Sequence, residues 1–298
     1  YGFCYYHYWF DGKKLLEKPL EQMLANKDLD MPFCICWANE DWTQAWVNRE
    51  DNILITQKYG DKDEWLRHFN YLLPFMKDSR YIKNDNKPLF VIYRPEIIHC
   101  LNEMLDYWQT LAIENGFDGI DFAYQSATMD YMKNKDDSRF TYDIESQPIY
   151  ARMELGMEKN KFVKQMYLGI SNFMQKRGLK ITRKKNKITF RDYDETWKKI
   201  LSMNPISSKS IPGAFVDFDN TPRRQDRGSC YLGVSVEKFK KYFSQQIERT
   251  KTVYKKDMLF IFAWNEWAEG GYLEPDKKNG YGYLEAIRDS LVEHDEMP

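Results

Sequence analysis

Seven short apolar runs punctuate the chain, most of them followed first by a polar, aromatic cluster and then by a stretch of helical spacing. GFCYYHYWF (2–10), PFCICWA (32–38), KPLFVIYRP (87–95), GIDFAYQ (119–125), YDIESQPIY (142–150), GAFVDFDNTPRR (213–224) and DMLFIFAW (257–264) read as strands. Residues 15–27, 63–78, 97–116, 162–176, 194–203, 236–256 and 282–294 carry helical periodicity, with Gly116 placed as a C-terminal stop. Continuous apolar strands alternating with amphipathic helices predict a parallel sheet covered by helices. No strand is followed by GxGxxG or GxxxxGK[ST], which argues against an open nucleotide-binding sheet. Polar clusters at strand after strand favour an α/β barrel of the (β/α)8 TIM type, whose active sites are assembled from strand ends. Closure needs an eighth strand, so a first strand and helix are expected upstream of Tyr1, where the sequence opens inside a strand-like run. The expectation is a single barrel domain over 1–298, interrupted by a basic hairpin at 179–190.

Composition narrows the partners. The net charge of −1 and pI near 6.5 lack the basic excess that nucleic acid requires. Aromatic residues make up 16% of the chain and gather at strand ends among Asn, Asp, Glu and Arg. That mixture suits a pocket that stacks on sugar rings and bonds their hydroxyls, so the expected partner is an oligosaccharide or polysaccharide. The five cysteines are odd in number and lie largely in strands, consistent with reduced, buried thiols and a cytoplasmic setting. No apolar run reaches the roughly 18 residues of a transmembrane segment, and no signal-peptide pattern opens the sequence.

The most informative cluster is FAWNEWAEGGYLEPD (262–276), where Glu266 and Glu269 follow the last strand among Asn265, Trp267 and Tyr272. On a continuing strand, residues three apart face opposite sides; on a turn leaving the strand they can converge, and Gly270 and Gly271 permit such a turn. Paired carboxyls are the machinery of glycoside hydrolysis, one protonating the leaving oxygen and the other acting as base or nucleophile. WANEDW adds Trp37, Asn39, Glu40, Asp41 and Trp42 as hydroxyl-bonding and stacking candidates. In YYHYW, Tyr6 and Tyr8 point one way and His7 and Trp9 the other; one pair lines the pocket and the other packs on helices. Arg94 and Glu96 of YRPE, Tyr124 of AYQS, and Asp219, Asn220, Arg223 and Arg224 of DFDNTPRR complete the set. The arginines either bind substrate or brace their loops with the neighbouring acids. No metal-ligand spacing and no cofactor motif appears, so neither is expected. The hairpin is either a solvated insertion or a guide for an anionic surface.

GFCYYHYWFDG, PFCICWANEDW, KPLFVIYRP, GAFVDFDNTPRR and WNEWAEGGYLEPD together resemble the WbsX family, labelled as glycosyltransferases of polysaccharide or lipopolysaccharide biosynthesis. That family is in turn similar to glycoside hydrolase family 99, the metal-independent endo-α-mannosidase barrels. The resemblance implies unequal roles within NEWxEG: Glu266 as base on the sugar 2-hydroxyl, giving an anhydrosugar, and Glu269 as acid and then base, with net retention. It sets DFDNTPRR against that family's DDT-containing loop, which brings in Arg223 or Arg224. Where WbsX proteins carry paired arginines after WANEDW, this chain reads TQAW, which implies a different subsite. The expected function is a retaining hydrolase of an α-linked polysaccharide. A glycosyltransferase or transglycosidase of surface-polysaccharide assembly is the second reading, and a carbohydrate-binding protein without catalysis is the third.

Overall fold

The computed structural model describes residues 1–44, 49–126, 136–156 and 188–297, which fall into two compact units, 1–145 and 146–297. The expected helix at 162–176 and most of the expected hairpin lie outside the described residues.

The first unit is built on a parallel sheet of β1 (Phe3–Phe10), β2 (Phe33–Trp37), β3 (Lys87–Ile92), β4 (Asp121–Gln125) and β5 (Tyr142–Ile144), in the spatial order β5-β4-β3-β2-β1. All five residues of β2 are buried, as continuous apolar strands in a helix-covered sheet should be. Three helices accompany the sheet: α1 (Lys18–Ala25), α2 (Lys62–Lys77) and α3 (Leu101–Glu114). The Asp61 carboxylate caps α2 by accepting the amides of Asp63 and Glu64, which stops that helix fraying at its first turn. Gly116, just beyond α3, takes the left-handed conformation expected of it (φ 92°). Trp108 of α3 is wholly buried and meets Trp37, His68, Phe69, Phe90 and Phe122, so one side chain ties two helices to three strands.

The second unit holds two parallel strand pairs. β6 (Thr189–Asp192) runs beside β8 (Ser229–Leu232), and β7 (Gly213–Phe215) beside β9 (Phe260–Phe262). β8 is not evident in the sequence because it has four residues of mixed polarity, whereas β6 overlaps the end of the expected hairpin at 179–190 and pairs in parallel with β8. Besides helical residues 149–156, the unit's helices include α4 (Tyr193–Ser202), α5 (Val236–Arg249) and α6 (Gly282–Glu293), with α4 and α5 capped by Asp192 and Ser235. Trp197 lies flat between Phe215 (5.4 Å, 14°) and Tyr242 (5.7 Å, 12°), clamping α4 between a strand and α5. All seven strands read from the sequence are present, and the fold is mixed α/β on parallel strands.

Candidate active site

β9 ends at Phe262, whose carbonyl accepts the Val216 amide (3.0 Å). The chain then doubles back: Asn265–Glu266 pairs antiparallel with Gly271–Tyr272 around a 3-10 turn, Trp267–Glu269. This turn removes the opposite-face problem that a strand would impose on residues three apart. Its closure needs glycine twice. Gly270 sits at φ 66°, and a β-carbon there would lie 2.8 Å from the Asp219 nitrogen. A β-carbon on Gly271 would strike the Phe262 ring at 2.2 Å. The turn is pinned to the loop after β7 by the Asp219 amide, which donates to the Glu269 carbonyl (2.7 Å).

Glu269 accepts one side-chain hydrogen bond among the described residues, from Arg223 Nη1 (3.2 Å). Burial raises its pKa against the opposing pull of Arg223, Arg224 and Arg152. Burial also raises Glu266, and the Glu269 charge pushes it further, so the two carboxyls share one electrostatic environment. Asp217, one of the acids that DFDNTPRR supplies, is pushed up to about 6 by burial and by Asp219. Its place in the alternation of GAFVDFD was visible; the loss of water around it was not. A group that titrates near neutrality can exchange protons at working pH, which the ordinary carboxylate cannot.

The neighbouring residues divide by task. Asp219 accepts from the Thr221 amide and hydroxyl (2.9 and 2.6 Å), and Asn220 accepts from the Ser229 amide (2.8 Å), so both shape the loop that carries Arg223 and Arg224. Asn265 is exposed. Trp267 is half exposed and stacks on Tyr272 at 3.8 Å between centroids, while the Tyr272 hydroxyl bonds Asp276 (3.0 Å). An indole braced from behind by a phenol offers a flat open face of the kind sugar rings stack on.

In the first unit, considered by itself, the strand ends are tightly self-paired. Buried Asn39 donates to the Arg94 carbonyl (2.7 Å) and accepts its amide (2.8 Å), fastening the ends of β2 and β3 together. Arg94 reaches Glu40 (2.6 Å) and Glu96 (2.8 Å), and Asp41 accepts the Gln57 amide (2.6 Å). Tyr6 is exposed and bonds Gln125 (3.2 Å); Tyr8 stacks on Trp42 (5.6 Å, 21°). His7, Trp9, Trp37 and Tyr124 sit in the core instead. His7 meets His68 of α2 (2.9 Å) and is held to about 3 by burial, Trp9 stacks on His68 at 4.6 Å, Trp37 meets Trp108, and Tyr124 packs on Phe140. The two parities of β1 are thereby assigned, with His7 and Trp9 on the helix side.

The cysteines are all free thiols, Cys34 and Cys36 buried and the others half-buried. Among the described residues no group of three or more His, Cys, Asp or Glu side chains is placed to hold a metal ion, and no helix is long and apolar enough to cross a membrane.

Residues 1–287 match the family described as Glycosyltransferase WbsX. The chain is 30% identical over 297 residues to the uncharacterized protein WxcX of Xanthomonas campestris pv. campestris strain B100, covering 98% of this chain and 39% of that protein. It therefore spans about two fifths of the length of the curated relatives it matches. Among solved structures it is similar to the GH99 endo-alpha-mannosidase from Bacteroides thetaiotaomicron, with a TM-score of 0.50 and 12% identity over 97% of this chain and 74% of that one. A second structure of that mannosidase, in complex with bis-tris propane, gives a TM-score of 0.47 at 12% identity, over 97% of this chain and 77% of that one. The likeness shows a shared fold.

Proposed function

Because the chain belongs to the glycosyltransferase WbsX family, we propose that it cleaves or transfers an α-linked glycan with retention, using Glu266 and Glu269. We take the fold to be a barrel of the (β/α)8 type, with this turn at its mouth. The observation that carries the reading is the turn itself: two partly buried carboxyls of raised pKa, three residues apart, on a backbone that only glycine can close. In this mechanism Glu266 withdraws the proton of the sugar 2-hydroxyl, and that oxygen displaces the leaving group at the anomeric carbon. Glu269 protonates the departing glycosidic oxygen. It then takes a proton from the incoming water or acceptor hydroxyl, which opens the anhydrosugar from the original face while Glu266 returns its proton to the released 2-oxygen. Arg223 holds Glu269 in place, and its charge speeds the acid's return to the carboxylate form. Trp267 supplies the stacking face for a sugar beside the cleaved bond.

The family's description favours transfer over hydrolysis, and the same residues serve both, with an acceptor hydroxyl in place of water. The test is release of reducing ends, or formation of a longer glycan, from α-linked oligosaccharides bearing a free 2-hydroxyl or a 2-O-methyl group. Glu269→Gln should lower turnover by a factor of about 10² to 10⁴, the usual worth of a positioned general acid. The 2-O-methyl compounds should bind without reacting. Full activity on them would contradict the role given to Glu266.

A further inference from the structure

Close to Glu269 lies a second cluster of charged groups, which the chemistry above does not use. Arg191 of β6 and Tyr231 of β8 are directly opposed in the parallel register, so their side chains leave the same face as neighbours. The Arg191 Nε is buried without a hydrogen-bond partner among the described residues, and the buried Tyr231 hydroxyl has a weak interaction with the Thr196 hydroxyl. Thr196, on the helix that follows β6, directs its hydroxyl to the Asp192 carbonyl (3.1 Å). Arg152 joins them from the helical stretch 149–156, its guanidinium 5.5 Å from the Phe218 ring centre. Phe218 bonds through its carbonyl to the Tyr231 amide (3.1 Å), and the next residue, Asp219, is bonded to Glu269.

Burial first, and then the charge of Arg191, make the Arg152 guanidinium costly to keep charged. Tyr231 and the Glu269 carboxylate favour the Arg152 charge, and the Glu269 carboxylate already accepts a hydrogen bond from Arg223. Proteins rarely leave buried donors and like charges together unless something else completes them. Guanidinium forks beside a hydroxyl match the oxygens of a carboxylate or phosphate.

We propose that Arg152, Arg191 and the Tyr231 hydroxyl form a subsite for an oxyanion carried by the glycan, the carboxylate of a uronic acid or a phosphate ester, beside the Glu269 carboxyl. This rests on the proposed function for the presence of a glycan and narrows it to an acidic one. The two sources share one chemistry and are separated by the probe.

The test is equilibrium binding, which needs no turnover. The 298-residue chain is titrated with an α-linked glucuronate-containing tetrasaccharide, its neutral glucose counterpart, a phosphorylated counterpart and inorganic phosphate. One of the acidic glycans should bind at least about tenfold more tightly than the neutral one, and the better of the two identifies the anion. Arg152→Gln and Arg191→Gln should each weaken that glycan about 10- to 100-fold and leave the neutral one unchanged. Unfolding temperatures should hold or rise, since a repelling charge is removed. Tyr231→Phe, which deletes that hydroxyl alone, should weaken acidic binding several-fold without loss of stability. Equal affinity for neutral and acidic glycans would overturn the proposal. So would binding of inorganic phosphate as tight as that of either acidic glycan, or arginine variants that unfold early and lose both glycans alike. Acidic binding that depends on the arginines but never leads to turnover would sink the proposed function and leave this subsite standing.

Discussion

Asp78 in the first unit and Glu269 in the second are both carboxyls withdrawn from water, and the protein treats them in opposite ways. Asp78, with 2% of its side chain exposed, receives the Nε and Nη2 of Arg80 at 2.9 and 3.0 Å, the Arg80 amide, and Lys27. The remaining Arg80 donors go to carbonyls of Met23, Asn26 and Leu29. The Arg80 hydrogen bonds, first among its causes, hold the Asp78 carboxyl far below the usual range. Glu269 has one arginine bond and a raised pKa; Asp217, nearby in sequence to the loop it contacts, has one backbone bond and titrates near 6. A carboxylate with every lone pair engaged is scaffold: it cannot take up a proton at working pH. One left underpaired destabilises its own charged form, and that is the condition for moving protons.

Three substitutions sharpen this contrast, in descending order of effect. Asp78→Asn should cost about 3 kcal/mol at pH 7, because it strands a nearly buried guanidinium. Its folded pKa is depressed, so the stability it confers is present above its unfolded pKa and is lost as pH falls. The gap between variant and wild type in chemical denaturation should shrink on acidification. Gly270→Ala should cost about 2 kcal/mol from the left-handed backbone and the contact with Asp219, and turnover should fall with it. Asp217→Asn should do the reverse of Asp78→Asn. A raised pKa gives stability that is fully present below the unfolded value and lost as pH rises through about 6. The variant should therefore be more stable than wild type at pH 8 and indistinguishable from it below pH 4.

Much of the scaffold was legible because periodicity and burial share one cause. PFCICWA could only be a strand covered on both faces, and Phe33–Trp37 is that strand. The turn after β9 was legible through its two glycines. The sequence could not say which parity of YYHYW faced the helix, since both parities are aromatic. That choice depends on His68 and Trp108, which come from distant helices. β8 was not legible because a four-residue strand has no period to detect, and β6 runs past the end of the expected hairpin at 190, so the pairing of Arg191 and Tyr231 was not legible either. The raised pKa of Asp217 was illegible for a related reason: desolvation belongs to the packed neighbourhood and to no local string of residues.

The central claim is that an underpaired carboxyl is kept for chemistry at some expense to stability. It is tested most directly by measuring turnover and unfolding temperature together for Glu269→Gln, on whichever α-linked oligosaccharide the wild-type chain processes. The expected result is turnover reduced by a factor of about 10² to 10⁴ with an unfolding temperature equal to or above that of wild type. A variant that unfolds several degrees earlier, yet retains wild-type turnover per folded molecule, would contradict it.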